Sequence, residues 1–322
     1  MSDDKRDCVI RLGVSRCLLG DNVRYDGGHK LDRFLVNTLG QYVEWVPVCP
    51  EVEIGLPIPR ETLRLVGDAE APRLVMPKSG EDHTERMQAW ARQRLEQLAE
   101  VKLLGFVFKK DSPSSGLYRV KVYTEAGMPS KTGTGIFPAE VMKRFPLLPL
   151  EEEGRLHDMH LRENFTDRVF AYQRLTCMLE DTPTPGGLVK FHTAHKLTLM
   201  AHSPSHYREM GRLVAQAGSL AWDELIDQYG PLLMAGLQVM TTPGKHTNVL
   251  QHVMGFLKDA LTKEDKAELL GLLEDYRQGL VPLIVPLTLL KHHISRHDVP
   301  DWVHQQVYIH PYPNELMLRN HV

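Results

Sequence analysis

The sequence predicts two domains, an α/β domain built on an open sheet followed by an all-α domain. Three observations predict it. The chain has 322 residues, beyond the size at which one hydrophobic core usually keeps growing. In the first half, three apolar strand-like runs each end in a polar loop. From Glu151 onward that pattern gives way to helical periodicities.

The elements follow in order. Val9-Ile-Arg-Leu-Gly-Val14 reads as a buried strand running into Ser15-Arg-Cys17-Leu-Leu-Gly20, a polar turn that carries a cysteine. Tyr42-Val-Glu-Trp-Val-Pro-Val48 reads as a second strand and delivers Cys49, Pro50 and Glu51. Residues 81–101, with Met87, Trp90, Leu95 and Leu98 at helical spacings, precede a third strand, Leu103-Leu-Gly-Phe-Val-Phe108, which ends at Lys109-Lys-Asp-Ser-Pro-Ser-Ser-Gly116. In a Rossmann-like open sheet, ligands bind beyond the carboxyl ends of the strands, so these three loops are expected to meet at one crevice. The first domain is assigned to residues 1–150. Residues 151–187 read as a linker helix and loop, because Asp181-Thr-Pro-Thr-Pro-Gly-Gly187 interrupts the helical pattern. Residues 188–322 read as the helical domain, with segments near 188–201, 205–217, 222–239, 246–260, 263–278 and 282–296. Thr262 and Asp265 have the spacing of a helix-start capping box.

Bulk chemistry narrows the function classes. A composition 42% hydrophobic and 25% charged is that of an ordinary globular protein, and no run of 18 apolar residues suggests a membrane span. The polar N-terminus lacks the apolar core of a secretion signal, so a cytoplasmic location is expected. Four cysteines are too few for a disulfide framework, and in a reducing compartment clustered ones serve better as ligands or nucleophiles. A net charge of −3 does not suggest a protein that coats nucleic acid through general basicity, so any RNA site is expected to be local. Fourteen of the sixteen histidines follow residue 150, so the two halves differ in chemistry.

Cys17 and Cys49, at neighbouring strand ends, could bind a soft metal, with Glu51 and Asp26 close in sequence; equally, they could be buried thiols acting as small hydrophobes. The surrounding motifs decide between these readings. Val14-Ser-Arg-Cys17-Leu-Leu-Gly, Val23-Arg-Tyr-Asp-Gly-Gly28, Pro47-Val-Cys49-Pro-Glu51, Gly55-Leu-Pro-Ile-Pro-Arg60 and Lys110-Asp-Ser-Pro-Ser-Ser-Gly116 together resemble the thiouracil desulfidase family over residues 8–150. The resemblance implies a 4Fe-4S cluster on three protein ligands, with one iron open to the sulfur of a thiocarbonyl and a hydrolytic, non-redox exchange of sulfur for oxygen. Cys17 and Cys49 match two ligand positions. The third carries Ser115 where the family reads Ser-Pro-Ser-Cys-Gly, and a hydroxyl is a harder, weaker donor than a thiolate. An introduced Cys-to-Ser replacement, a natural variant with another ligand, and a domain that has lost its cluster are the competing explanations, and the intact remaining motifs favour the first two. By the same resemblance Glu51 orients and deprotonates the attacking water and Ser112 hydrogen-bonds the base or relays a proton. Ordinary ion pairing for Glu51 and turn capping for Ser112 are the alternatives. Arg24, Asp26 and Lys30 are candidates for positioning substrate, although Asp26-Gly-Gly28 also makes a turn by itself.

Phe191-His-Thr-Ala-His-Lys196, Met200-Ala-His-Ser-Pro204, Tyr207-Arg208, Lys245-His-Thr-Asn-Val-Leu-Gln-His252-Val and Tyr276-Arg-Gln-Gly279 resemble the YbgA family across nearly all of residues 188–322. His192, His195 and Lys196 stand three and four residues apart, as do Asn248 and His252, so each set shares a helix face. With Lys190, Lys245, His246 and Arg277 they are expected to form a basic, hydrogen-bonding surface for tRNA. The fused arrangement resembles proteins that remove sulfur from 4-thiouridine in tRNA. Free thiouracil or a thionucleoside is the alternative substrate, and a non-catalytic RNA-binding protein is the alternative if Ser115 marks loss of the cluster. The histidine-rich faces also raise a metal site, without a tight motif such as His-Glu-x-x-His.

Overall fold

The computed structural model describes residues 9–322, and the chain divides into two compact units between His157 and Asp158. In the first unit eight strands form two four-stranded sheets: β1 (Arg11–Ser15), β2 (Glu44–Val48), β3 (Arg64–Val66), β4 (Arg73–Val75), β5 (Gly105–Phe108), β6 (Val120–Tyr123), β7 (Pro129–Gly133) and β8 (Leu150–Glu152). The main sheet has the order β2-β1-β5-β8 and all its pairs are parallel. The chain leaves β1 for one neighbour, β2, and only later lays β5 on the other side, the reversal that opens a crevice beyond strand ends. Ser15 pairs with Val48 and Val14 with Val107, so β1, β2 and β5 end level and discharge the Cys17, Cys49 and Lys109 loops side by side.

Among the described residues, four α-helices belong to this unit: α1 (Arg33–Asn37), α2 (Pro50–Glu53), α3 (Thr84–Val101) and α4 (Ile136–Arg144). Met87, Ala91, Leu95 and Leu98 form the buried stripe of α3, the period-3.6 face expected of a helix lying on a sheet. Phe106 of β5 stacks on Phe108 at 4.1 Å and meets Phe137 of α4 edge-on at 5.7 Å. Gly13 makes this packing fit, since a Cβ there would fall 2.0 Å from the Phe106 ring. The second sheet, β4-β3-β6-β7, closes over Leu65, Leu74, Val120 and Val122. Its strands run three to five residues, too short for periodicity to reveal them.

The second unit is helical: α5 (Met159–Asp181), α6 (Pro185–His202), α7 (Pro204–Val214), α8 (Trp222–Gln238), α9 (Pro243–Met254), α10 (Lys263–Arg277), α11 (Ile284–Arg296) and α12 (Asp301–His304). Local chemistry sets the starts. Thr184, Ser203 and Thr242 each cap a helix whose next residue is proline, combining a side-chain acceptor for an orphan amide with a ring suited to the first turn. Thr262 and Asp265 form the expected capping box. Residues 151–187 do not behave as one connection. Glu151 and Glu152 complete β8, while α5 is an integral helix of the second unit, burying Phe165, Val169 and Phe170. No described helix is long and apolar enough to cross a membrane.

Candidate active site

A pocket of about 400 Å³ lies at the carboxyl ends of β1, β2 and β5, lined by Cys17, Cys49, Glu51, Arg60, Ser112 and Ser115 among others. That volume suits a small ligand. Both thiols are buried and free. Burial first, and then the nearby Glu51 carboxylate, pushes the Cys17 thiol up to about 11 and the Cys49 thiol up to about 12. At neutral pH both are therefore protonated in the metal-free protein, and only a bound cation would make them the thiolates that ligate metals.

Glu51 is held at both oxygens. Its Oε1 accepts from the Ser114 hydroxyl at 2.5 Å, while its Oε2 accepts from the Cys49 thiol at 3.5 Å and lies 3.8 Å from the Arg60 guanidinium. Arg60 is itself fixed, donating to the Val23 carbonyl at 3.0 Å. Ser112 does not reach Glu51 directly; its Oγ lies 3.0 Å from Ser114 Oγ and accepts from the Ser115 amide at 3.2 Å. The hydrogen-bonded path from Ser112 to Glu51 runs through Ser114, a fully buried residue of the same motif. Arg60 closes the Gly55–Arg60 motif, whose pattern alone assigns it no role.

Carboxylates at the end of β8 and just beyond it brace the serine loop. Glu152 Oε1 accepts from the Leu117 and Tyr118 amides at 2.8 and 3.0 Å, and Glu153 takes the Lys110 amide at 2.7 Å and Lys109 Nζ at 2.5 Å. Burial raises the Glu152 carboxyl above the usual range, and those amides oppose the rise. Gly135 backs the same loop, where a Cβ would stand 2.9 Å from the Ser115 nitrogen.

Arg24 and Lys30 line the pocket. Asp26 is not among its lining residues: its Oδ1 accepts from the Gly28 amide at 3.0 Å and pairs with Arg24 at 3.4 Å, closing its own turn. The Gly28 hydrogen bond is the main reason its carboxyl is held below the usual range. Of the other cysteines, Cys177 lies on α5, and Cys8 falls outside the described residues.

In the helical unit the expected basic surface is only partly assembled. Lys190 and Asn248 are exposed. His192 is buried, its Nδ1 3.2 Å from Tyr229 Oη, and burial with Lys196 nearby pushes it down to about 4. His246 is buried against Tyr308 Oη at 2.8 Å and held well below its ordinary value by burial and Arg319. Both rings are turned into the core, which is not where the expected basic surface needs them. Lys245 Nζ donates to the carbonyls of His202 and Met240, both at 2.8 Å, tying off the end of α6. Arg277 is engaged in a two-pronged pair with Glu274 at 2.8 and 2.9 Å. Lys196 lies 4.7 Å from the centre of the Trp302 ring. Among the described residues, no group of three or more His, Cys, Asp or Glu is placed to hold a metal ion.

The fold and this pocket define a two-part protein, an α/β unit with a thiol- and carboxylate-lined crevice joined to a helical unit. Residues 12–153 match the family model described as 2-thiouracil desulfurase, and residues 196–313 the model described as protein of unknown function (DUF1722). The chain is 34% identical over 157 residues to the uncharacterized protein YbgA of Escherichia coli (strain K12), which spans 48% of this chain and 90% of that protein. The chain belongs to the YbgA family, with a segment that matches the 2-thiouracil desulfurase model in the same polypeptide. A solved structure, the 4Fe-4S-dependent thiouracil desulfidase TudS, is 29% identical, covers 48% of this chain and 97% of its own, and superposes with a TM-score of 0.39.

Proposed function

We propose that the chain is an iron–sulfur-dependent desulfidase that replaces the thiocarbonyl sulfur of 4-thiouridine in tRNA with oxygen from water. The observation that carries this reading is the convergence of two thiols and a doubly anchored carboxylate in one pocket. The donor set suits a soft metal group at two positions: Cys17 and Cys49 would hold a cluster, with the Ser115 hydroxyl as the oxygen donor at the third. When bound, the cluster supplies a soft Lewis acid for sulfur.

The chain's own residues supply the proton chemistry. Glu51 accepts a proton from the attacking water at its carboxylate, oriented by the Ser114 hydroxyl and by Arg60. Ser112, 3.0 Å from Ser114 Oγ, extends that hydrogen-bond chain along the pocket wall toward the substrate ring. Arg24 and Lys30 give the wall positive charge, which favours a substrate carrying phosphate over a neutral free base.

The test is anaerobic reconstitution with iron and sulfide, followed by incubation with thiolated tRNA or free thiouracil and nucleoside analysis of the products. Conversion of 4-thiouridine to uridine with release of sulfide and no consumption of a redox co-substrate is expected. Turnover of free thiouracil alone would move the reading to a small-molecule desulfidase. Reconstituted, coloured protein inactive on both substrates would overturn it.

A further inference from the structure

The helical unit sets two rings absent from the expected basic surface, Phe256 and Trp302, beside His252 and Lys196. Phe256, just after α9, is 37% exposed. Its ring meets Trp302 of α12 edge-on at 5.0 Å and His252 of α9 edge-on at 5.4 Å. Lys196 of α6 sits 4.7 Å from the centre of the Trp302 ring, and after burial it is the second reason that the His252 imidazole is held below its ordinary value. Four residues from three helices and the turn after α9 therefore form one patch of aromatic faces beside a cation.

The patch is rigid. The buried Gln306 side chain donates to the carbonyls of Thr193 and Trp302 at 2.7 and 3.0 Å and accepts from the Leu197 amide at 3.1 Å. One amide thus clamps the Trp302 segment to α6 at the turn that carries Lys196. Trp302 also packs against the helical core, so Phe256 rests on a fixed support. A stacking surface held in place before binding loses little entropy when it is used.

We propose that His252, Phe256 and Trp302, with Lys196, bind an unpaired nucleotide of an RNA, its base stacking on Phe256 and its phosphate meeting Lys196. The inference deepens the tRNA reading above and rests on it for the identity of the ligand. Charge complementarity selects RNA as the occupant. A nucleotide offers a flat π face and an anion together, whereas an aliphatic protein or lipid surface would cover the rings and leave the Lys196 ammonium desolvated without a counter-charge. Unpaired bases are also what RNA-binding proteins read by aromatic stacking.

The test uses the full chain with a fluorescently labelled, unstructured oligoribonucleotide and with thiolated tRNA, titrated at several salt concentrations. Phe256→Ala is expected to weaken binding of both about tenfold, the usual scale for one lost stack, with the salt slope unchanged. Phe256→Trp is expected to restore it. Lys196→Ala is expected to flatten the salt slope by about one. Phe256→Ala protein with unchanged thermal stability and wild-type RNA affinity overturns the proposal, as does wild-type protein that fails to bind either RNA at low salt. Binding as expected without desulfidation instead discards the catalytic reading and leaves this site standing, while free-thiouracil turnover without RNA binding does the reverse.

Discussion

Both units bury polar groups, and they do so to opposite ends. In the α/β unit, Glu51, Ser112 and Cys49 are anchored by neighbours and yet, with Cys17, line an open pocket. In the helical unit, Glu163 is enclosed by Arg319 at 3.2 Å and Tyr312 at 2.8 Å, His202 by Asp167 at 3.2 Å and the Val239 carbonyl at 2.8 Å, and His246 by Tyr308. The first arrangement leaves reactive atoms facing a space of ligand size; the second consumes them in holding helices together. A buried titratable residue is therefore a candidate for chemistry only where its hydrogen bonds orient it toward a cavity.

The sharpest way to break that contrast is Glu51→Gln. The amide keeps shape and can still accept from Ser114, but it cannot take a proton, so desulfidation is expected to fall by about 100-fold or more while the cluster's visible absorbance persists. Wild-type rates in the coloured variant would exclude Glu51 as the base. Ser115→Cys works in the other direction. It places a third soft donor in the pocket and is expected to raise iron and sulfide content per chain severalfold after anaerobic reconstitution. A variant that stays colourless would sink the assignment of this position as a cluster ligand.

Acid should separate the units. His192 is held down to about 4, mainly by burial, and the fully enclosed His195 to about 3, by burial and then Arg174. Both folded values lie below that of a free histidine, so their contribution to stability is whole above about pH 6.5 and is lost as the pH falls from there toward the folded values, because the unfolded chain takes up protons that the native state refuses. Each such histidine costs up to about 1.4 kcal/mol per pH unit in that window. Thermal unfolding followed by far-ultraviolet circular dichroism is expected to show a main helical transition several degrees lower at pH 5 than at pH 7. A transition that holds its temperature across that range would contradict neutral burial of these rings.

Much of this was legible in the sequence, and the exceptions have physical causes. The three strand-to-loop junctions were visible because each apolar run ends abruptly in polar residues, and the start of α10 was visible in the Thr262–Asp265 capping box, whereas α6 and α9 each begin three residues before their expected starts, at a proline that reads as a turn signal. Ser114 was hidden because motif reading assigns a role to a residue type, whereas which of three neighbouring serines faces Glu51 depends on the curvature of the loop. Glu152 and Glu153 fall in the stretch expected to be a linker, and only the pairing of β8 with β5 shows that they brace the serine loop. The histidines of α6 share a face as their spacing requires, but spacing does not say whether a face is turned outward. Here His192, His195 and His202 are buried, because α6 packs against α7, α8 and α9.

The smallest effect tests the same distinction at one residue. Lys245 has the position and charge of a phosphate contact, but its ammonium donates to the His202 and Met240 carbonyls, and burial lowers its pKa. A cation at the end of α6 satisfies carbonyls with no partner inside the helix and meets the negative end of its dipole. Lys245→Ala is therefore expected to lower the stability of the helical unit by about 1–2 kcal/mol, the usual scale for a charge-assisted hydrogen bond, and to leave the salt dependence of RNA binding unchanged. Lys196→Ala, by contrast, is expected to flatten that dependence by about one unit of slope. Measured side by side on the full chain, the two variants separate a lysine that caps a helix from one that meets RNA. Equal flattening in both would mean that Lys245 leaves its carbonyls for phosphate when RNA binds, and the surface would then extend from Trp302 to the start of α9.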